Sequence, residues 1–196
     1  MLKIIDNFIK NTDTLDELYK FFHYSGSWQF DFLSHKYVYN NKQNSTAEEL
    51  VCQIIKALCA YDLGFNSKGY EAWINVLDKD INHLNHHVDC NEFAEEMEPA
   101  KKTAVIYLGS GDSMEGGELA INLTEVKKDY CFYDNIYDLE KYMDNSWLKI
   151  PYKYNRLILF DSNYPHAILP IKHLESGSSR ISLTVCSWDK KIKVKR

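Results

Sequence analysis

The chain is expected to be mostly β, with two helices flanking antiparallel sheets. Three features lead there. A helical hydrophobic period runs through the first third, at Leu15, Leu18, Phe21 and Phe22 and again from Leu50 to Tyr61. From Gly69 onward the period becomes two, in strand-like runs separated by turn residues. Helices followed by a long run of strands, without βαβ alternation, argue for helices packed on antiparallel structure. Six or more strands then close most economically as a double-sheet jelly roll, whose sheets enclose a pocket.

In chain order, Leu2 to Ile9 reads as a short strand, and Asn11 or Asp13 caps the first helix. Gly26 to Tyr39 is aromatic-rich and reads as extended structure across the core. Ser45 with Glu48 forms a capping box for the second helix, whose face carries Leu50, Val51, Ile54, Ile55, Leu58 and Tyr61 until Gly64 stops it. Tyr70–Val76, Leu84–Cys90, Thr103–Leu108, Glu118–Leu123, Arg156–Phe160 and Arg180–Trp188 are strand candidates. Gly109-Ser110-Gly111-Asp112-Ser113 and Glu115-Gly116-Gly117 lack phosphate-loop spacing and read as turn chemistry. Residues 125 to 148 carry Tyr130, Phe132, Tyr133, Tyr137, Tyr142 and Trp147 among acids, and read as a surface excursion or a flap over the pocket.

At 196 residues the chain is expected to form one domain, with helical support over about 1–68 and a jelly-roll core over about 69–190. A formal charge of −5 argues against nucleic acid and anionic membrane as partners. The basic tail Lys190 to Arg196 reads as a solvated terminus. Five cysteines without CxxC spacing fit a reduced compartment, with Cys52 and Cys59 facing inward from the second helix. No signal peptide or transmembrane run is evident, so a cytoplasmic location is expected.

The chemistry concentrates in Asn82-His83-Leu84-Asn85-His86-His87-Val88-Asp89. In an extended chain His83, Asn85, His87 and Asp89 share parity and point one way, whereas His86 points the other and is expected to be structural or exposed. A carboxylate facing a barrel interior is costly unless paired or metal-bound. A third ligand is available at His166, after the apolar run Leu157-Ile158-Leu159-Phe160. Two histidines and one carboxylate make the facial triad that suits non-haem Fe(II), with coordination positions left open. On Arg180–Trp188, alternation sends Ile181, Leu183 and Val185 toward the helices and Arg180, Ser182, Thr184 and Cys186 into the pocket. A buried arginine there needs an anion, either a ligand carboxylate or an internal acid.

The set His87-Val88-Asp89, Tyr107-Leu108, Gly116-Gly117-Glu118-Leu119, Asn155-Arg156-Leu157-Ile158-Leu159-Phe160, His166, Pro170 and Arg180-Ile181-Ser182-Leu183 resembles the 2-oxoglutarate/Fe(II)-dependent oxygenases, nearest the prolyl-hydroxylase-like branch. The resemblance covers about residues 70 to 188 and implies a double-stranded β-helix of the cupin-like kind. It implies Fe(II) on His87, Asp89 and His166, and 2-oxoglutarate and dioxygen as cosubstrates. The distal carboxylate of 2-oxoglutarate would meet Arg180, helped by Ser182 or Tyr107. Prolyl hydroxylases usually carry lysine where Arg180 stands, which puts proline as substrate in doubt. Asp89 itself favours hydroxylation over halogenation, because halogenating relatives replace that carboxylate.

The activity implied is hydroxylation of an unactivated C–H, with release of succinate and carbon dioxide. The same centre is also compatible with desaturation, epoxidation or cyclisation, and the fold with a cupin-like protein that binds metal or carboxylate without oxidising anything. A zinc hydrolase fits poorly, since no general base is spaced beside the ligands. Glu71, Trp73 and Asn75 share parity on the strand before the ligands and are candidate substrate contacts, with Trp73 equally suited to the core. The expected substrate is a free amino acid, a short peptide or a specialised metabolite. Nothing in the sequence fixes the oligomeric state.

Overall fold

The structure is a computed structural model that describes residues 1–24, 37–38, 46–65, 67, 69–78, 83–91, 98–109, 114–124, 133–134, 141 and 143–189. Its elements run β1 (Leu2–Ile5), α1 (Asp13–Tyr24), β2 (Tyr37–Val38), α2 (Thr46–Tyr61), β3 (Gly69–Leu77), β4 (Leu84–His87), β5 (Cys90–Asn91) and β6 (Glu98–Pro99). They continue with β7 (Lys102–Tyr107), β8 (Met114–Gly116), β9 (Leu119–Asn122), β10 (Tyr133–Asp134) and β11 (Trp147–Ile150). β12 (Leu157–Asp161), β13 (His166–Ile168), β14 (Ile171–Leu174) and β15 (Arg180–Trp188) complete the order.

Two antiparallel sheets carry the architecture, as the strand-rich second part of the sequence requires. One has six strands in the order β1-β12-β7-β15-β3-β2, and the other five in the order β10-β4-β13-β9-β11. Each face of the larger sheet has its own core. Toward the helices, Ala72, Ile74, Ala104, Ile106, Leu157, Leu159, Ile181, Leu183 and Val185 pack on Leu15, Leu18 and Phe22 of α1 and Leu50, Val51, Ile54, Ile55 and Leu58 of α2. Between the sheets, Leu77, Val105, Tyr107, Ile158 and Phe160 pack on Leu119, Ile121, Ile150, Ile168 and Ile171. At about 1.5–3 kcal/mol for each large apolar side chain buried, these two layers dominate the stability. The arrangement is the double-sheet jelly roll that the strand pattern predicts.

The helices form where expected. The Asn11 side chain accepts a hydrogen bond from the Asp13 amide at 3.2 Å, and the Thr12 carbonyl accepts from the Leu15 and Asp16 amides at 2.9 and 3.0 Å. Asp13 and Asp16 in the first turn complement the positive end of the helix dipole. Phe21 and Tyr61, expected on the packed faces, are exposed instead. On α1, Leu15, Leu18 and Phe22 complete the buried stripe, and Phe21 falls at its flank, edge-on to the ring of Phe22. Ser45 of the expected capping box lies outside the described residues, as do most of Gly26–Tyr39 and the basic tail from Lys190.

The first strand ends at Ile5 and not at Ile9. Asn7 there takes a left-handed φ of 54°, and Asn155 receives the departing chain by bonding both the amide and the carbonyl of Ile9 at 2.9 Å. In the cysteine set, Cys52, Cys59 and Cys186 are free thiols, whereas Cys90 is disulfide-bonded. The expectation of an all-reduced set is thereby corrected at Cys90. Much of 125–148 lies outside the described residues, but β10 and β11 within it are edge strands of the five-stranded sheet. None of the helices among the described residues is long and apolar enough to cross a membrane.

Candidate active site

β4 and β13 are antiparallel neighbours in the middle of the smaller sheet, and their register sets His87 opposite His166. The imidazole centroids are 4.3 Å apart. Asp89 lies just past the end of β4, its backbone carbonyl anchored by the Ala100 amide at 3.0 Å. Its two carboxylate oxygens each face one histidine, with Oδ1 at 3.6 Å from His87 Nε2 and Oδ2 at 3.5 Å from His166 Nε2. One nitrogen or oxygen from each of the three residues lies within 4.8 Å of the others, so the group can hold a metal ion.

Protonation favours the same use. Burial pushes the His166 imidazole down to about 4, outweighing the attraction of Asp89, so the ring is neutral near pH 7. Its Nδ1–H donates to the Tyr164 carbonyl at 3.1 Å, which leaves the Nε2 lone pair facing Asp89. Burial raises the Asp89 carboxyl, but His166, His87 and Thr103 together outweigh it and hold the group below the usual carboxylate range. Thr103 Oγ1 lies 2.7 Å from Asp89 Oδ2. It is also 2.7 Å from Ser162 Oγ and 3.4 Å from Cys186 Sγ.

The inward face of the larger sheet forms the facing wall. Ladder register places Thr103 beside Cys186, Val105 beside Thr184 and Tyr107 beside Ser182. On the other side of β15, Glu71, Trp73, Asn75 and Leu77 of β3 stand opposite Cys186, Thr184, Ser182 and Arg180. The face therefore runs from Thr103, next to Asp89, to Arg180 at its other end.

Arg180 is the largest fully buried side chain described. Its Nε donates to the Gly117 carbonyl at 2.8 Å and its Nη1 to Ser182 Oγ at 3.2 Å. The guanidinium carbon stands 5.0 Å from the Tyr107 ring centre and 5.3 Å from that of Tyr152. These rings stack at 4.4 Å, and Tyr152 Oη donates to the Ile181 carbonyl at 3.1 Å. Among the described residues Arg180 has no carboxylate partner, and its Nη2 and the Tyr107 hydroxyl are both buried without a hydrogen-bond partner. A cation and a hydroxyl left in that state fit a carboxylate ligand, which would accept from both. Among the described residues the fold builds no internal ion pair for Arg180.

Of the predicted site residues, His87, Asp89 and His166 come together, and Arg180, Ser182 and Tyr107 form a second group. Glu71 is buried, while Trp73 and Asn75 are half-buried. Trp73 packs with Ala100, Cys186 and Trp188, and Asn75 donates to Thr184 Oγ1 at 3.4 Å. His83, expected inside by parity, is exposed because the ladder begins only at Leu84. His86 is half-buried against Trp147. Sequence reasoning missed Thr103, Ser162, Gly117 and Tyr152. Parity marks Thr103, two steps of two from Tyr107 on the same strand, whereas Ser162 lies in the turn after β12. Gly117 and Tyr152 carry no such mark, because neither lies within a strand.

A family model described as the 2OG-Fe(II) oxygenase superfamily matches residues 72–188. No curated protein sequence matches the chain significantly. Among solved structures it is similar to a Pseudomonas putida prolyl-4-hydroxylase, with 16% identity, 94% of this chain and 90% of that one covered, and a TM-score of 0.63. A viral collagen prolyl hydroxylase from Paramecium Bursaria Chlorella virus-1, in complex with 2OG, is similar at 15% identity, 95% of each chain and a TM-score of 0.55. HygX from Streptomyces hygroscopicus, with nickel and 2-oxoglutarate bound, is similar at 10% identity, 95% of this chain, 82% of that one and a TM-score of 0.54. These likenesses speak for the fold, while the family match spans more than half of the sequence and takes in both residue groups. The chain belongs to the 2OG-Fe(II) oxygenase superfamily, as a non-haem iron dioxygenase working with Fe(II), 2-oxoglutarate and dioxygen.

Proposed function

We propose that this dioxygenase hydroxylates an unactivated C–H of a small substrate: a free amino acid, a short peptide or a specialised metabolite. His87, Asp89 and His166 hold Fe(II). Arg180 Nη2 and the Tyr107 hydroxyl take the distal carboxylate of 2-oxoglutarate, and Ser182 orients the guanidinium. The bound iron and cosubstrate supply the oxidising power, with succinate and carbon dioxide as by-products. The chain's own contribution is geometric. A neutral His166 and an ionised Asp89 present lone pairs without prior proton loss, and the buried guanidinium and hydroxyl fix the far end of the cosubstrate. The observation that carries the reading is that Arg180 Nη2 and the Tyr107 hydroxyl are buried without a hydrogen-bond partner among the described residues, on the same sheet face that meets the three-ligand group.

Glu71, Trp73 and Asn75 are proposed to meet the substrate, since they share the strand and face that line this wall. The prolyl hydroxylase names of two similar structures support a peptidyl or free amino acid as substrate. Residues 1–196 are proposed to act as a single catalytic domain, the helices serving as support. Among the described residues, Cys52, Cys59 and Cys186 are outside any disulfide, which suits the cytoplasm, and the disulfide at Cys90 counts the other way.

Succinate release, screened across amino acids, peptides and metabolites with mass detection of oxygenated products, tests the reading. A substrate that gains one oxygen and stimulates succinate formation is the expected result. Products lacking two hydrogens, or no succinate with any candidate, would count against hydroxylation.

A further inference from the structure

His87 and His166 need little help to keep their places. β13 is hydrogen-bonded on both sides, to β4 and β9, and β4 likewise to β13 and β10. Asp89 lies between β4 and β5, where the Ala100 amide ties its backbone carbonyl, but no ladder pair sets the rotation of its carboxylate. Its carboxylate is nevertheless turned so that one oxygen faces each imidazole, at 3.6 and 3.5 Å. Something outside its own strand holds it there.

The hydrogen bonds around Thr103 identify what does. An ionised carboxylate only accepts, so the single hydroxyl proton of Thr103 goes to Asp89 Oδ2 across 2.7 Å. The contact of 2.7 Å between Thr103 and Ser162 then has one possible sense, with Ser162 Oγ–H donating to Thr103 Oγ1. Cys186 Sγ, 3.4 Å away, can donate to the remaining lone pair. Two neighbouring strands, β7 and β15, and the turn that follows β12 deliver these groups. Thr103 pairs with Phe160, two residues before Ser162, on one side and with Cys186 on the other. All three side chains are completely buried, so no water competes for the bonds.

We propose that Thr103 is the positioning residue of the metal site. Its hydroxyl, aimed by Ser162, fixes the rotation of the Asp89 carboxylate and so preforms the ligand set. The inference rests on Asp89 being a ligand. It adds that the carboxylate is held by the larger sheet, not by the strand that carries His87. Outer partners of this kind typically change metal affinity by about 10–100-fold when removed.

The test is anaerobic calorimetric titration of the full chain with Fe(II), alongside metal-free melting curves. The proteins are wild type, Thr103→Val, Thr103→Ser, Ser162→Ala and Asp89→Ala. Val keeps the shape of Thr and removes the hydroxyl; Ser keeps the hydroxyl and removes a methyl. The expected result is Fe(II) affinity about 10–100-fold weaker in Thr103→Val and close to wild type in Thr103→Ser. Ser162→Ala should fall between them, which keeps the test usable if Thr103→Val folds poorly. Wild-type affinity in Thr103→Val, or equal weakening in the Val and Ser variants, overturns the proposal while leaving the ligand reading intact. Wild-type affinity in Asp89→Ala overturns both.

Discussion

Nε2 of His166 keeps its lone pair near neutrality because the ring is buried and Nδ1 is committed to the Tyr164 carbonyl. Burial holds its pKa near 4, against an ordinary 6.5. As pH falls through that interval the unfolded chain gains a proton on this histidine and the folded chain does not. Stability is therefore unaffected above about pH 6.5, declines between 6.5 and 4, and stops declining on this account below 4, by an amount on the order of 3 kcal/mol. Urea denaturation of the metal-free protein across that range should show the decline, and His166→Asn should flatten it. A wild-type slope in the variant would mean that another group is responsible. At the other end of the site, Arg180→Met leaves the distal carboxylate of 2-oxoglutarate without its cation. KM for 2-oxoglutarate should rise about 30-fold or more, as when a buried charge pair loses a partner, with Fe(II) affinity unchanged. Steady-state succinate release read beside metal titration separates the two effects.

Among the elements, β15 was the most legible. Its alternation assigned Ile181, Leu183 and Val185 to the helices and Arg180, Ser182, Thr184 and Cys186 to the pocket, and the structure agrees because a central strand has neighbours on both sides to hold its register. β4 was less so. The extended pattern through Asp89 suggested one strand carrying both ligands, but pairing stops at His87 and Thr103 takes over the orienting. The short strands β8, β10, β11 and β14 went unread. Gly117 shows what turn chemistry alone misses. Its φ of +70° strains any other residue, and a Cβ there would meet side-chain atoms of Ile171 at 3.1 Å, Met114 at 3.2 Å and Arg180 at 3.3 Å, which would have to give by a few tenths of an ångström. Gly117→Ala should therefore weaken 2-oxoglutarate binding by displacing Arg180, and leave Fe(II) binding as it is. Parallel titrations check this, and loss of Fe(II) affinity alone would contradict it. Behind the sheet, Ile54→Ala should cost about 2–5 kcal/mol by opening a cavity between α2 and the larger sheet, with little effect on affinities in the folded protein. Chemical denaturation and titration give the two numbers.

Over the whole molecule, the helices support one face of a sheet whose opposite face lines the site, so folding and ligand binding are linked through that sheet. Ligands held only by the native arrangement must raise stability, by about 2.7 kcal/mol at a hundredfold excess over Kd. The central claim is that the His87–Asp89–His166 group and the buried Arg180 act on one cosubstrate at once. Anaerobic absorption spectroscopy tests it most directly, because a visible charge-transfer band forms only when 2-oxoglutarate chelates Fe(II) in the site. Wild type should show the band with both ligands present and with neither alone. Asp89→Ala should lose it, and Arg180→Met should need far more 2-oxoglutarate to reach it. A band of wild-type intensity in Asp89→Ala, or none in wild type at saturating ligands, would contradict the account.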